Sequence, residues 1–196
     1  KRYKKFFYPC LGGIIGGLSI STYFWLLFMP ISLAILWKGS EKKIANFCWG
    51  FFFILISHSW LYDLHPLMWM GFSKIESLII TILILLICSF LGGILVYLWG
   101  LLVEIILSRE DVLKMKCVPL SVKVILLSMT WSMGELILSQ TPFFWIGIGE
   151  SLVPGDMYLA GLARWIGSSG LCVIQMLIGF WVFFILEKLR REARIK

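Results

Sequence analysis

Charge is scarce in this sequence. Asp, Glu, Lys and Arg make up only 15% of its 196 residues, where soluble domains carry about a quarter. Hydrophobic residues account for 60%, and the mean hydropathy is +0.92. So few charges could not cover so much apolar surface, which excludes a water-soluble globule and leaves lipid as the fitting solvent. Histidine is nearly absent, with His58 and His65 the only two. The sequence has no H-E-x-x-H zinc pattern, no G-x-S-x-G elbow and no phosphate-binding P-loop. No catalytic set, metal site or cofactor is therefore expected within it. The cysteines Cys10, Cys48, Cys88, Cys117 and Cys172 show no C-x-x-C spacing. Most sit in or beside apolar runs, where a thiol behaves as a small hydrophobe. Phe7-Tyr8-Pro9 supplies none of the small residues of a cleavage site, which argues against a lipid-modified Cys10 behind a signal peptide.

What is present is a succession of apolar runs. A helix crossing about 30 Å of hydrocarbon needs about 20 such residues. The runs fall at 6–20, 22–37, 44–60, 75–108, 118–138 and 157–186. Ser19, Ser21 and Thr22 alone interrupt the first pair, which predicts a tight hairpin of two short helices that need not cross fully. The fourth run would reach about 50 Å, more than the bilayer core, and Gly92-Gly93 is its natural bending point. Gly12-x-x-x-Gly16 and Gly13-x-x-x-Gly17 permit close helix contact.

The net charge of +7 raises nucleic acid as a partner, but its placement argues otherwise. All but two of the 18 Lys and Arg residues lie at the N-terminus, in or next to the second and fourth loops, or at the C-terminus; Lys74 and Arg164 are the exceptions. Charge at alternate loops sets orientation in a membrane and requires an even number of spans. The expected fold is an all-α polytopic transmembrane bundle of about six helices, a single domain over 1–196, with the N- and C-termini cytoplasmic. Trp60, Trp69 and Trp145 then fall near the opposite face, as interfacial aromatics should.

Two acids well inside the runs bear on function. Glu104, toward the cytoplasmic end of the fourth, reads as an interfacial residue, and His58, ending the third, reads the same way. Glu135 lies inside the fifth run, where a carboxylate needs a polar partner or a wet cavity; Arg164 is the partner expected. The loop that follows, Thr141-Pro-Phe-Phe-Trp-Ile-Gly-Ile-Gly-Glu150 and on to Asp156, is apolar, rich in glycine and free of Lys and Arg. Such a loop could dip into the outer leaflet or simply cover helix ends.

These residues carry a family likeness. Gly12-Gly13 and Phe24-Trp25 before Pro30 resemble the opening hairpin of apolipoprotein N-acyltransferases. Ser59-Trp60-Leu61-Tyr62 resembles the end of their third span. Trp131-x-x-x-Glu135 followed by Pro142-x-x-Trp145 resembles their Trp and Glu helix and its Gly-Phe-Pro-Trp loop. Leu159 to Gly170, with its glycines, resembles the next segment. The order and spacing persuade more than any single motif. Two departures stand out: the proline of the loop is displaced, and Leu138 stands where an Arg is usual. The likeness is closest to a cyanobacterial-type branch.

The resemblance implies acyl transfer from a phospholipid, through a cysteine thioester, to the N-terminal diacylglyceryl-cysteine of a lipoprotein at the outer leaflet of the bacterial cytoplasmic membrane. It places the catalytic Glu, Lys and Cys in a nitrilase-like domain that nothing in this sequence matches. The missing initiator Met and the stop at Arg190-Arg191-Glu-Ala-Arg194 predict an N-terminal membrane segment of a longer chain. This part would anchor the enzyme and admit its lipid substrates, with Trp145, Glu135, Trp131, Trp60 and Tyr62 as the floor of the site. The competing readings are a small-molecule transporter, which usually shows broken helices and internal repeats, and a non-catalytic membrane scaffold.

Overall fold

The structure, a computed structural model, describes residues 4–21, 25–40, 42–108, 119–141, 147–152 and 161–195. Six α-helices carry these residues: α1 Lys4–Ser21, α2 Trp25–Gly39, α3 Lys43–Ser57, α4 Lys74–Val103, α5 Leu120–Ser139 and α6 Ala163–Ile195. No strand occurs among the described residues, and the fold is the all-helical bundle expected. α4, α5 and α6 are long and apolar enough to cross a membrane. α1 to α3 are apolar but shorter: the 15 residues of α2 or of α3 rise about 22 Å, less than about 30 Å of hydrocarbon.

Local chemistry sets several of these ends. The third apolar run extends to Trp60, yet α3 stops at Ser57, where the His58 N–H closes on the Ile54 carbonyl at 2.9 Å. The chain then winds as a 3-10 turn, Ser59–Leu64. α4 opens on a capping box, in which Ser73 Oγ accepts the Glu76 N–H and Glu76 Oε2 accepts the Ser73 N–H at 2.8 Å. α4 is one continuous helix through Gly92-Gly93. The glycines are packing sites: a Cβ on Gly92 would strike Ile54, and one on Gly50 would strike the Gly92 carbonyl. α4 ends in a π-helical turn, Glu104–Ser108, whose Glu104 pairs with Lys43 at 3.0 Å.

The helices close into a ring in which α1 packs on α3, α3 on α4, α4 on α5, α5 on α6, α6 on α2 and α2 on α1. Along α1, Gly13 and Gly17 face the α3 backbone, while Gly12 and Gly16 lie between Ile35 and Ser32 of α2 and the Trp49 and Phe53 rings of α3. The two G-x-x-x-G ridges thus serve two neighbours. α5 runs antiparallel to α4, since Trp99 bonds Leu127 while the earlier Leu95 meets the later Gly134. Tyr8 near the start of α1 and Arg190 near the end of α6 both lie beside Lys38, so the two chain ends share one end of the bundle.

The ring closes on tryptophan. Trp49 of α3 meets Trp131 of α5 edge to face at 6.0 Å, Trp131 meets Trp99 of α4 at 5.3 Å, Trp99 meets Trp37 of α2 at 5.0 Å, and Trp37 meets Phe180 of α6 at 5.2 Å. Edge-to-face pairs of this kind contribute about 1 kcal/mol each beyond burial. Every one of the four buried indole N–H groups finds an acceptor, as a buried Trp requires. Trp37 donates to Met176 O, Trp49 to Ser32 O and Trp99 to Leu127 O, each on another helix; Trp131 donates to Glu135.

Candidate functional site

Trp131 and Glu135 are one turn apart on α5 and share its buried face, at 2% and 6% exposure. The Trp131 indole donates to Glu135 Oε1 at 2.9 Å, and the backbone N–H of Ile148 donates to the same oxygen at 3.1 Å. Gly147 lies against Oε2, and Cys172 of α6 lies beside the same carboxyl. A buried carboxyl group without partners costs several kcal/mol. Here two donors from two elements offset that cost. The carboxyl thereby ties the 3-10 turn Ile148–Leu152 into the gap between α5 and α6.

A chain of bonds extends the tie. Ser151 Oγ donates to Ile148 O at 2.7 Å and accepts Gln175 Nε2 at 3.1 Å. Ser132 Oγ donates to Ser169 O at 2.7 Å, joining α5 to α6 directly. Beside Glu135 is a narrow cavity of about 30 Å³ bounded by Ser132, Gly147, Gly149, Glu150 and Ser168, room enough for a water molecule.

Glu135 Oε1 takes both donors and Cys172 is 1% exposed, an arrangement that clamps the turn to α5. Among the described residues no group of three or more His, Cys, Asp and Glu could hold a metal ion. The expected Glu135–Arg164 pair does not form. Arg164 is exposed, with its guanidinium 5.9 Å from the Trp165 ring, and the donors already on Glu135 take its place. α6 is interrupted just beyond, at Gly167 (φ 67°, ψ 179°).

Trp60 and Tyr62 stand on a different element. Their 3-10 turn packs on α3 and α4, and they are 40% and 52% exposed. The structure therefore brings Trp131 and Glu135 together, while Trp60 and Tyr62 form an open aromatic surface. Trp145 lies outside the described residues. His58 is buried and bonded through Nδ1 to Ser57 Oγ at 2.9 Å. His65 meets Ser77 Oγ at 2.9 Å, and that hydroxyl also accepts the Leu67 N–H at 2.7 Å. Sequence reasoning missed Ile148, Ser151, Cys172 and Gln175. The Cys172 and Gln175 pair, three residues apart in an otherwise apolar helix, was the available signal.

No family model matches the chain. It is 65% identical over its whole length to a protein named apolipoprotein N-acyltransferase from Prochlorococcus marinus subsp. pastoris, covering 40% of that relative. A protein of the same name from another Prochlorococcus marinus strain is 42% identical over 98% of the chain and 38% of its own length. One from Thermosynechococcus vestitus is 30% identical over 95% of the chain and 33% of its own length. The chain thus spans about 40% or less of the length of the curated relatives it matches. Along nearly all of its residues the chain is similar to proteins that share the name apolipoprotein N-acyltransferase.

Proposed function

We propose that the chain is the membrane domain of an apolipoprotein N-acyltransferase, set as a single multi-pass unit in the bacterial cytoplasmic membrane with both ends cytoplasmic. The whole protein would transfer an acyl chain from a phospholipid to the N-terminal diacylglyceryl-cysteine of a lipoprotein. The chemistry belongs to a nitrilase-like domain carried by the rest of a longer chain, and no residue of this chain is assigned to catalysis. The observation that carries this reading is the 65% identity along all 196 residues to a protein of that name. The charge distribution supports the orientation, and so does the meeting of both chain ends at one end of the bundle.

Within this reading the two halves of the candidate site divide the work. Trp131 and Glu135 act as positioning residues, fixing the turn that follows Trp145. Trp60 and Tyr62 face the lipid substrates on the side where lipoproteins mature, and Trp145 is assigned to the same binding role from its place in the sequence. A transporter would need a substrate path through the bundle, and the tryptophan core stands across it. Photolabelling tests the division. In the full protein, a diacylated lipopeptide with a photoreactive acyl chain should mark the Ser59–Leu64 turn and the 142–146 segment. Labelling confined to the ends of the helices beside Lys38 would overturn it.

A further inference from the structure

Lys38 stands between two apolar grooves at the end of the bundle remote from Glu135. One groove, of about 270 Å³, is bounded by Tyr8 and Pro9 of α1, Ile35 and Lys38 of α2, and Lys42 and Ala45 at the start of α3. The other, of about 180 Å³, shares Ile35 and Lys38 and continues along Ile31, Phe183 and Leu186, with Glu187 and Arg190 at its rim. Ile31, Ile35 and Lys38 follow one face of α2 at helical spacing, so the apolar walls run from the cation toward the interior of the membrane.

Among the described residues neither Lys38 nor Lys42 has an ion-pair partner. The neighbouring Lys43 is taken by Glu104 at 3.0 Å. Glu187, the one acid on the grooves, faces both Arg190 and Arg191 at 3.9 Å. Lysines at a membrane surface ordinarily meet bulk headgroups without selection. Two grooves flanking a single cation define a more particular shape, that of a molecule with one anionic head and two tails.

We propose that these grooves hold one anionic phospholipid of the leaflet at the lysine-bearing end, with its phosphate on Lys38 and Lys42 and an acyl chain in each groove. The site is separate from the lipid substrates of the proposed reaction and lies at the other end of the bundle. It does not depend on that reaction being correct. Basic pockets between transmembrane helices bind anionic headgroups in this manner, and here the tails select a lipid over a free anion.

Native mass spectrometry of the intact protein in a neutral detergent tests it, with phosphatidylglycerol and phosphatidylcholine of matched acyl chains supplied together. The wild type should retain phosphatidylglycerol about tenfold over phosphatidylcholine, the scale set by two lysines on an anionic headgroup. Lys38→Gln/Lys42→Gln should abolish the preference and Lys38→Arg/Lys42→Arg should keep it. The equal charge loss of Lys188→Gln/Lys196→Gln should leave it intact. Ile35→Trp, which fills the shared wall with both lysines in place, should reduce retention and so tests the grooves independently of charge. Equal retention of the two lipids by the wild type would overturn the proposal. So would a double Gln variant that discriminates normally, or inorganic phosphate held in place of lipid.

Discussion

Glu135 Oε1 lies 2.9 Å from the indole nitrogen of Trp131, the residue one turn before it, and accepts that N–H together with the N–H of Ile148. The pair links the tryptophan core to the turn beyond α5. Trp131 is fixed on one side by Trp49 and Trp99, and through Glu135 the turn is fixed to Trp131. The turn beyond α5 is thus seated on the buried tryptophan core.

Glu135→Gln should fold and hold the turn, because the amide oxygen still accepts from Trp131 and Ile148. Glu135→Ala removes the acceptor and leaves two buried donors unpaired, at about 1–3 kcal/mol for each. Thermal denaturation in detergent should show a clear fall for Glu135→Ala and little change for Glu135→Gln. Equal loss in the two variants would mean that the charge, and not the acceptor, holds the turn.

Gly147→Ala should resemble Glu135→Ala, for a different reason. A Cβ at this position meets Glu135 Oε2, and overpacking of this kind costs about 1–3 kcal/mol. Limited proteolysis should cut faster near 147–152 in this variant. Wild-type cleavage rates would show that the carboxyl can swing aside.

Gly13→Ala tests the seam between α1 and α3, where a methyl group would strike the Trp49 carbonyl and crowd the Phe53 N–H. Separating two helices that pack backbone to backbone should lower stability by about 1–3 kcal/mol. Gly39→Ala, in open space, is the control and should be silent. Matching melting temperatures for the two variants would contradict the packing described.

Gly167→Ala isolates backbone geometry. Nothing lies within contact of a Cβ there, but φ 67° with ψ 179° is a region essentially reserved to glycine, at about 1–3 kcal/mol for another residue. Circular dichroism melts should register that loss. A neutral result would show the interruption of α6 to be dispensable.

The helices were legible because hydrophobic length is read directly from the sequence, and the family likeness lay in the order of short motifs. Ends were less legible: α3 stops at Ser57, before the apolar run does, because the chain tightens at His58 into a 3-10 turn. Gly92-Gly93 suggested a bend; their packing depends on the opposite helix, here Gly50 and Ile54, which local sequence does not specify. Glu135 announced that it needed a partner. Arg164 was the evident charge, but the actual donors are an indole and a backbone amide, neither of which stands out by charge. Trp131 and Glu135 are joined to each other, whereas Trp60 and Tyr62 belong to a separate, exposed turn.

The direct measurement is acyl transfer by a chimera, in which this chain replaces the matching segment of the Prochlorococcus marinus subsp. pastoris relative. Supplied with phospholipid and a diacylated lipopeptide, the chimera should produce the triacylated lipopeptide at a rate of the same order as the relative, and this chain alone should produce none. A chimera that inserts and folds as the relative does but transfers no acyl chain would contradict the assignment of this chain as the membrane platform of that reaction.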